Sequence, residues 1–344
     1  MTSPFRVLQV GCGGISSAWL KAAAHFPEDI RFVGFVDLSA EAAGKRAAES
    51  GATDLHVGTD LAAALRETRP DVVFDCTIPA AHAAVTCAAL AAGAHVLGEK
   101  PMASTLGEAR RMTAAAAQAK RHYAITQTRR ANGSLRAVAK AIASGAIGRL
   151  HTINADFYMG AHFGGFREEM ENVLLLDMAI HSFDQARCLA ARDATHVYCH
   201  EFNPPGSWYR HGASAMALFE MEEGGVFTYR GSWCAEGERT SWECTWRLIG
   251  EKGTILWDGD RSIRLSVPST DEGFIRSVNI SSVSPLEFSE KESGHAGIMG
   301  DFFRALRAGT VPETAASQNF GSLAMVLSAI ESARLGQRIP VPTL

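Results

Sequence analysis

The sequence reads as a two-part protein. An α/β front half has a doubly wound parallel sheet, and an α+β rear half has a large, mostly antiparallel, open-faced sheet. Three observations predict this. In the first part, short continuous apolar runs alternate with Ala-rich helical stretches, as in a parallel sheet covered on both faces. From His151 onward, longer strands of alternating polarity follow one another through hairpin-like turns. Finally, 344 residues exceed what one hydrophobic core serves, since cores stop growing at roughly 250–300 residues.

In the front half, Phe5–Val10 reads as a buried strand and Ile15–His25 as the helix after it. Strands follow at Arg31–Val36, Val72–Cys76, His95–Gly98 and Ala124–Thr128, with helices at Ala40–Glu49, Ala80–Ala92 and Leu106–Arg121. A helix at Ser134–Ala143 ends at Gly145 and Gly148. The rear half then offers strands at His151–Tyr158, Thr195–Phe202, Ala213–Met221, Gly225–Trp233, Cys244–Ile249 and Thr254–Trp257. A helix over Leu174–Ala190 interrupts them, and two more follow at Ala296–Ala308 and Gln318–Leu335. The pattern changes near Thr128, so the expected domains are 1–128 and 129–344.

Composition narrows the function classes. The chain is 47% hydrophobic and 20% charged, with a formal net charge of −4. No basic surplus is available to neutralise nucleic-acid phosphates. No apolar run approaches the roughly 20 residues that span a bilayer. The N-terminal stretch runs into a strand pattern without the apolar core of a signal peptide. The seven cysteines are scattered, with no C-x-x-C pair and no zinc spacing, so no metal site is expected and a reducing, cytoplasmic setting is.

The clearest local signal is Gly11-Cys12-Gly13-Gly14-Ile15-Ser16, between the first strand and the first helix. Gly11 permits a tight turn and Gly13 lets the backbone approach a pyrophosphate. The helix N-terminus, from Ile15, presents free N–H groups to the anion. Ser16 replaces the third glycine of the strict pattern. The front half is thus a Rossmann domain binding a dinucleotide. Asp37 ends the second strand, a little over twenty residues on. Either it accepts the ribose hydroxyls of NAD and repels the extra phosphate of NADP, or it or Ser39 caps the next helix. NAD is the expected cofactor. NADP stays open, because Lys45 or Arg46 can reach a phosphate.

Two further motifs carry chemistry. Glu99-Lys100-Pro101 follows the strand His95–Gly98, at the carboxyl edge where such sheets bind ligands. Asp177 and His181 are four apart, on one face of a helix, and Asp184 extends the line. The rest of that helix is apolar, and buried charges need partners. The stripe is an internal His–Asp pair, a metal site lacking further ligands, or a catalytic group.

With these motifs in order, the chain resembles the GFO/IDH/MocA family, named after glucose–fructose oxidoreductase, inositol dehydrogenase and a rhizopine-catabolism protein. The resemblance rests on the glycine loop, Thr77-Ile78-Pro79 with His82, Glu99-Lys100-Pro101, and Asp177 with His181, and it covers most of the chain. It implies that Lys100, Asp177 and His181 form the catalytic trio. It also implies that Thr77, Pro79 and His82, with Glu99 and Lys100, line the nicotinamide side of the cofactor site. The implied reaction is oxidation of a secondary hydroxyl or hemiacetal of a sugar, inositol or related polyol. His181 is then the general base and Lys100 hydrogen-bonds the same oxygen, or the two exchange roles. Asp177 binds a neighbouring hydroxyl or orients Lys100 or His181. Arg129, Tyr158, His162 and Arg167 are candidates for contacting the substrate, as are Arg130 and the group Trp208, Tyr209 and Arg210. The sequence departs from the family at Asn172, Val173 and Ala179, where many members keep glycine.

The family commonly pairs subunits through the rear sheet. Phe219, Phe227, Tyr229, Trp233, Trp242 and Trp246 supply aromatic area that helices of the same chain do not fully hide, so a homodimer or homotetramer is expected. Two other readings remain: an NAD(P)-binding regulator without turnover, and an NAD-dependent glycosidase that oxidises transiently.

Overall fold

The computed structural model describes residues 3–270 and 272–344. The chain divides into two compact units. The first runs through Ala131 and takes in Phe288–Leu323; the second holds Asn132–Glu287 and Ala324–Thr343. The division differs from a single cut at residue 128, because the helix Gly294–Ala308 groups with the first unit. Its Phe302 and Phe303 are buried in one cluster with Val7, Trp19, Phe74 and Leu97.

In the first unit, strands and helices alternate: β1 (Phe5–Val10), α1 (Ser16–Ala23), β2 (Ile30–Val36), α2 (Ala40–Ser50), β3 (His56–Gly58), α3 (Leu61–Thr68), β4 (Val72–Asp75), α4 (Pro79–Ala91), β5 (His95–Gly98), α5 (Leu106–Ala119) and β6 (Tyr123–Ile125). The sheet order is β3-β2-β1-β4-β5-β6, all parallel. The order reverses between β1 and β4, so a crevice opens at their carboxyl ends. Side-chain caps set several helix starts: Ser39 accepts from Ala42 N, Asp60 from Ala63 N, and Thr105 and Glu108 form a capping box. β3 and α3 escaped the sequence reading because β3 is only three residues long and none of them is fully buried.

The second unit opens with α6 (Gly133–Ala143) and β7 (Leu150–Tyr158). A π-helix, Leu174–Ala179, then runs directly into α7 (Ile180–Ala190). Strands β8 (Ala194–Phe202), β9 (Ser214–Met221), β10 (Val226–Ser232), β11 (Thr245–Gly250), β12 (Gly253–Trp257), β13 (Ile263–Pro268), β14 (Val278–Ser282) and β15 (Ile339–Pro340) complete it. They form a nine-stranded sheet, β14-β13-β12-β11-β7-β10-β9-β8-β15, in which only β7 and β10 pair in parallel. The expected mostly antiparallel sheet is present. It extends to β13, which alternates Ile263, Leu265 and Val267 but went unread, and to β14, which is exposed along its whole length.

One face of this sheet carries a row of near-parallel rings. Phe219 stacks on Phe227, Phe227 on Trp246 and Trp246 on Trp257, with centroids 5.6, 6.4 and 6.1 Å apart. Phe183 of α7 meets Phe219, Phe227 and Tyr229 edge-on. The expectation that these aromatics await a second subunit is therefore corrected. Phe219, Phe227, Tyr229, Trp233 and Trp246 are buried within one chain, and of the six only Trp242 remains exposed. The opposite face is the open one, with Tyr198, Met216 and Leu218 exposed on it. Truncating Phe183, which is fully buried, to alanine should cost about 3–5 kcal/mol of stability. Urea unfolding followed by tryptophan fluorescence measures this, and a loss below about 1 kcal/mol would show that the ring row stands without its cap.

Candidate active site

In the first unit the glycine loop links β1 to α1. Gly11 has φ +87°, and a Cβ there would lie 2.5 Å from the carbonyl carbon of Cys76. Glycine is required by backbone conformation and by the close passage of the chain after β4. Gly13 and Gly14 have open space where a side chain would stand. Among the described residues, the N–H groups of Gly13, Gly14 and Ile15 have no protein acceptor. Ser16, in the third glycine's place, is fully buried and donates its hydroxyl to Gly13 O at 2.6 Å. The loop is therefore held from beneath with its donors facing outward, which suits a pyrophosphate.

Asp37 closes the other side of this cradle. Its Oδ2 accepts from Cys12 N at 2.7 Å and its Oδ1 from Ser39 N at 2.9 Å. The helix cap is Ser39, so Asp37 remains at the loop edge as an acid suited to ribose hydroxyls. Arg46 is corrected as a candidate for the NADP phosphate. It is only 6% exposed, donates to Gly13 O at 3.1 Å and pairs with Glu49. It braces the loop from below.

The segment after β4 is built on Asp75, a fully buried acid. Asp75 accepts from the Thr77 N–H and hydroxyl and from Thr86, and its Oδ1 lies 3.1 Å from His82 Nδ1. Pro79 opens α4, where its missing N–H costs nothing. His82 is 1% exposed, with its Nε2 buried and unpartnered. Thr77 and Pro79 stay half-exposed while His82 lies underneath them.

Lys100 is half-buried after β5, and the Lys100–Pro101 bond is cis. Glu99 points inward. Its Oε1 accepts from Trp19 Nε1 at 2.6 Å and lies 3.3 Å from His295 Nε2, while Oε2 accepts from Lys100 N. Burial pushes the Glu99 carboxyl up, but hydrogen bonds from His295 and Trp19, the His295 charge and the Lys100 N–H outweigh it and hold it below the ordinary range. Glu99 thus ties the turn that carries Lys100 to the interior. Arg129 sits half-buried in a short 3-10 turn, Thr128–Arg130, and Arg130 pairs with Glu313.

In the second unit, Asp177 lies in the π-helix and His181 is the second residue of α7. A continuous α-helix over Leu174–Ala190 was expected. The observed i→i+5 turns alter the angular relation of the two residues, and such turns are frequent at functional sites. Asp177 Oδ2 accepts from Arg167 Nε at 2.9 Å. The Arg167 guanidinium lies 5.1 Å from the Phe163 ring centroid and 4.9 Å from that of Phe166. Asn172 has φ +50°, a left-handed conformation that glycine otherwise supplies and asparagine tolerates. Its amide donates to Glu201.

His162 stacks flat on Trp208 at 3.7 Å and meets Glu236 at 2.7 Å, while the Trp208 and Tyr209 side chains both donate to Ala161 O. Tyr158 is placed elsewhere. It shares the open sheet face with Asp156 and Arg230, opposite the face that α7 covers. Burial and the Asp156 charge push its hydroxyl up. Arg167, His162 and Asp177 thus share one region of the second unit, and Tyr158 does not. Among the described residues, no cluster of three or more His, Cys, Asp or Glu side chains is arranged to hold a metal.

Sequence reasoning missed Asp75, Trp19 and His295. Asp75 had a signal, an acid within the apolar run of β4. Nothing local marks the other two, because each acts on a partner distant in sequence.

A parallel sheet with a switch point, an exposed glycine loop and an acid at its rim define a dinucleotide-binding fold. Residues 5–127 match the profile of the oxidoreductase family with an NAD-binding Rossmann fold, and residues 135–256 match the GFO/IDH/MocA C-terminal domain. The chain belongs to the GFO/IDH/MocA family of NAD-binding oxidoreductases. It is 28% identical to an uncharacterised protein of Sinorhizobium fredii over 98% of this chain and 96% of that one. It is 30% identical to a 1,5-anhydro-D-fructose reductase of Ensifer adhaerens over 52% of this chain and 54% of that one. Among solved structures it is similar to an Agrobacterium radiobacter oxidoreductase in complex with NAD+, L-tartaric acid and magnesium. That match has a TM-score of 0.87 at 20% identity and covers 98% and 99% of the two chains.

Holding Glu99 ionised should stabilise the first unit. A native value below the unfolded one gives stabilisation that is full above the ordinary carboxylate range, near ~4.3, and is lost as pH falls through the native value. Glu99→Gln should therefore unfold more easily than wild type at neutral pH, by about 1–3 kcal/mol, with the gap closing in acid. Denaturant midpoints across pH measure it, and a gap independent of pH would mean that the charge is not what Trp19 and His295 hold.

Proposed function

We propose that the protein is an NAD-dependent dehydrogenase that oxidises a secondary hydroxyl, or the hemiacetal carbon, of a sugar, inositol or related polyol. The observation that carries this is the outward-facing amide cradle of Gly13, Gly14 and Ile15 with Asp37 at its rim. The resemblance carried by Glu99-Lys100-Pro101 and by Asp177 with His181 supports Lys100, Asp177 and His181 as the catalytic trio. The Ensifer adhaerens reductase, by its name, acts on a sugar derivative.

Bound NAD supplies the acceptor for the hydride that leaves the substrate carbon. The chain's part is positioning and proton transfer. The alcohol loses a hydride from carbon and a proton from oxygen, giving a carbonyl, NADH and one proton. In the roles that the family resemblance implies, His181 is the general base for the hydroxyl proton and Lys100 is a hydrogen-bond donor that stabilises developing negative charge. Asp177 acts with Arg167, its ion-pair partner. Asp37 favours NAD over NADP by accepting the ribose hydroxyls and repelling an added phosphate.

Reduced-nicotinamide absorbance should rise with NAD and a member of a panel of sugars, inositols and sugar acids. Lys100→Met should lower kcat by about 10²–10⁴-fold while NAD binding persists. Turnover that survives the substitution would remove Lys100 from the mechanism. Cofactor binding with no turnover on any compound would favour the regulator or the transient-oxidation glycosidase.

The open sheet face supports pairing with a second copy of the chain, since Met216 and Leu218 project from neighbouring positions of β9 and are about half exposed. Light scattering should give a multiple of the 36.8 kDa chain mass, and Met216→Glu with Leu218→Glu should yield monomers. Assembly that persists in this double variant would place the interface elsewhere.

A further inference from the structure

The substrate's charge can be read from Arg167. Its guanidinium is held on three sides, by Asp177 at Nε and by the rings of Phe163 and Phe166. Its terminal nitrogens donate to no protein atom among the described residues, and the side chain is 36% exposed. Some arginines of this molecule use both sides of the fork on one carboxylate, while others, such as Arg210 on Glu169 and Arg261 on Glu287, give a single bond from a terminal nitrogen. Arg230 on Asp156, Arg334 on Glu331 and Arg338 on Glu220 each place Nε and Nη2 together on one carboxylate. Arg167 gives Asp177 a single bond and keeps its Nη1/Nη2 edge open.

We propose that this open edge binds a carboxylate of the substrate, so that the compound oxidised is a sugar acid, an aldonate or uronate, and not a neutral polyol. The proposal rests on the dehydrogenase reading and deepens it. The planar fork of two parallel N–H groups matches a carboxylate in bidentate geometry, whereas single hydroxyls have no use for that match. The two rings and Asp177 restrict the guanidinium before a ligand arrives, so less freedom is lost on binding. Asp177 occupies the Nε side and leaves the far edge to the ligand, which keeps the two carboxylates on opposite ends of one cation. Asp177 is also four residues from His181, about one helical turn, so a hydroxyl a few carbons from the bound carboxylate is within the span of an ordinary sugar acid.

The test compares matched pairs, D-glucuronate with D-glucose and D-galacturonate with D-galactose, in wild type, Arg167→Lys and Arg167→Gln. Turnover with NAD is measured, together with calorimetric binding of each compound in the presence of NAD. Wild type should prefer the acids. Both variants should lower the acid-to-neutral ratio of kcat/KM by about 10- to 100-fold, the worth of a charged hydrogen-bonding contact. Arg167→Lys keeps the charge and guards against a folding defect, yet it lacks the fork. A wild-type preference for the neutral partner, or an acid preference unchanged in both variants, would overturn the assignment while leaving the dehydrogenase reading intact. If no compound is turned over, the binding arm decides. Acid binding that weakens in the variants supports the fork and counts against the dehydrogenase reading, and acid binding equal in all three proteins overturns the fork.

Discussion

Much of the second unit depends on one apolar contact, Phe183 set edge-on against the ring row of Phe219, Phe227, Trp246 and Trp257. Stacked and edge-on rings prefer specific geometries beyond simple area burial. The contact therefore fixes both how closely α7 approaches the sheet and how it is rotated. His181 is two residues before Phe183, so the ring that packs and the imidazole proposed to move a proton share one helical turn. Stability and chemistry are coupled here through a single short segment.

The first unit relies on polar groups instead. Asp75, Glu99 and Arg46 are buried, and each has partners that repay its desolvation: Thr77, Thr86 and His82 for Asp75, Trp19 and His295 for Glu99, Gly13 O and Glu49 for Arg46. All three lie beneath the segments that carry the proposed cofactor-binding residues, and their bonds tie those segments to the interior of the unit.

The fold was legible where period and burial agree. β1 and β5 were read to the residue because their inward runs are continuous, and the strands from β7 to β12 were read to within one residue at either end because they alternate. β3 and β14 were not legible, because a three-residue strand and a fully exposed one carry no apolar stripe; α3 and β13 do bury residues but are too short to stand out. Within the candidate site, the glycine loop, Asp37, Lys100, Asp177 and His181 announce themselves by residue type and place along the chain. The inward turn of Glu99 and the depth of His82 do not, because they depend on Trp19, His295 and Asp75, partners set by tertiary packing. The face that Tyr158 occupies was not legible for a simpler reason: a strand offers two faces, and pleat parity puts Tyr158 with Asp156 and not with the inward Phe157.

The π-helix has a consequence for how this region tolerates change. An α-helix advances about 100° per residue, and a π-turn amounts to one extra residue accommodated without breaking the helix. Leu174–Ala179 therefore acts as a phase setter between the loop that carries Arg167 and the helix that carries His181. Loss of a single residue there would let the helix relax to regular α-turns at little cost in backbone hydrogen bonding. It would also rotate Asp177 by about 100° relative to the Phe183-anchored helix. A one-residue deletion in this segment is thus a change of angle more than a change of stability, and it would separate the acid from the histidine without removing either.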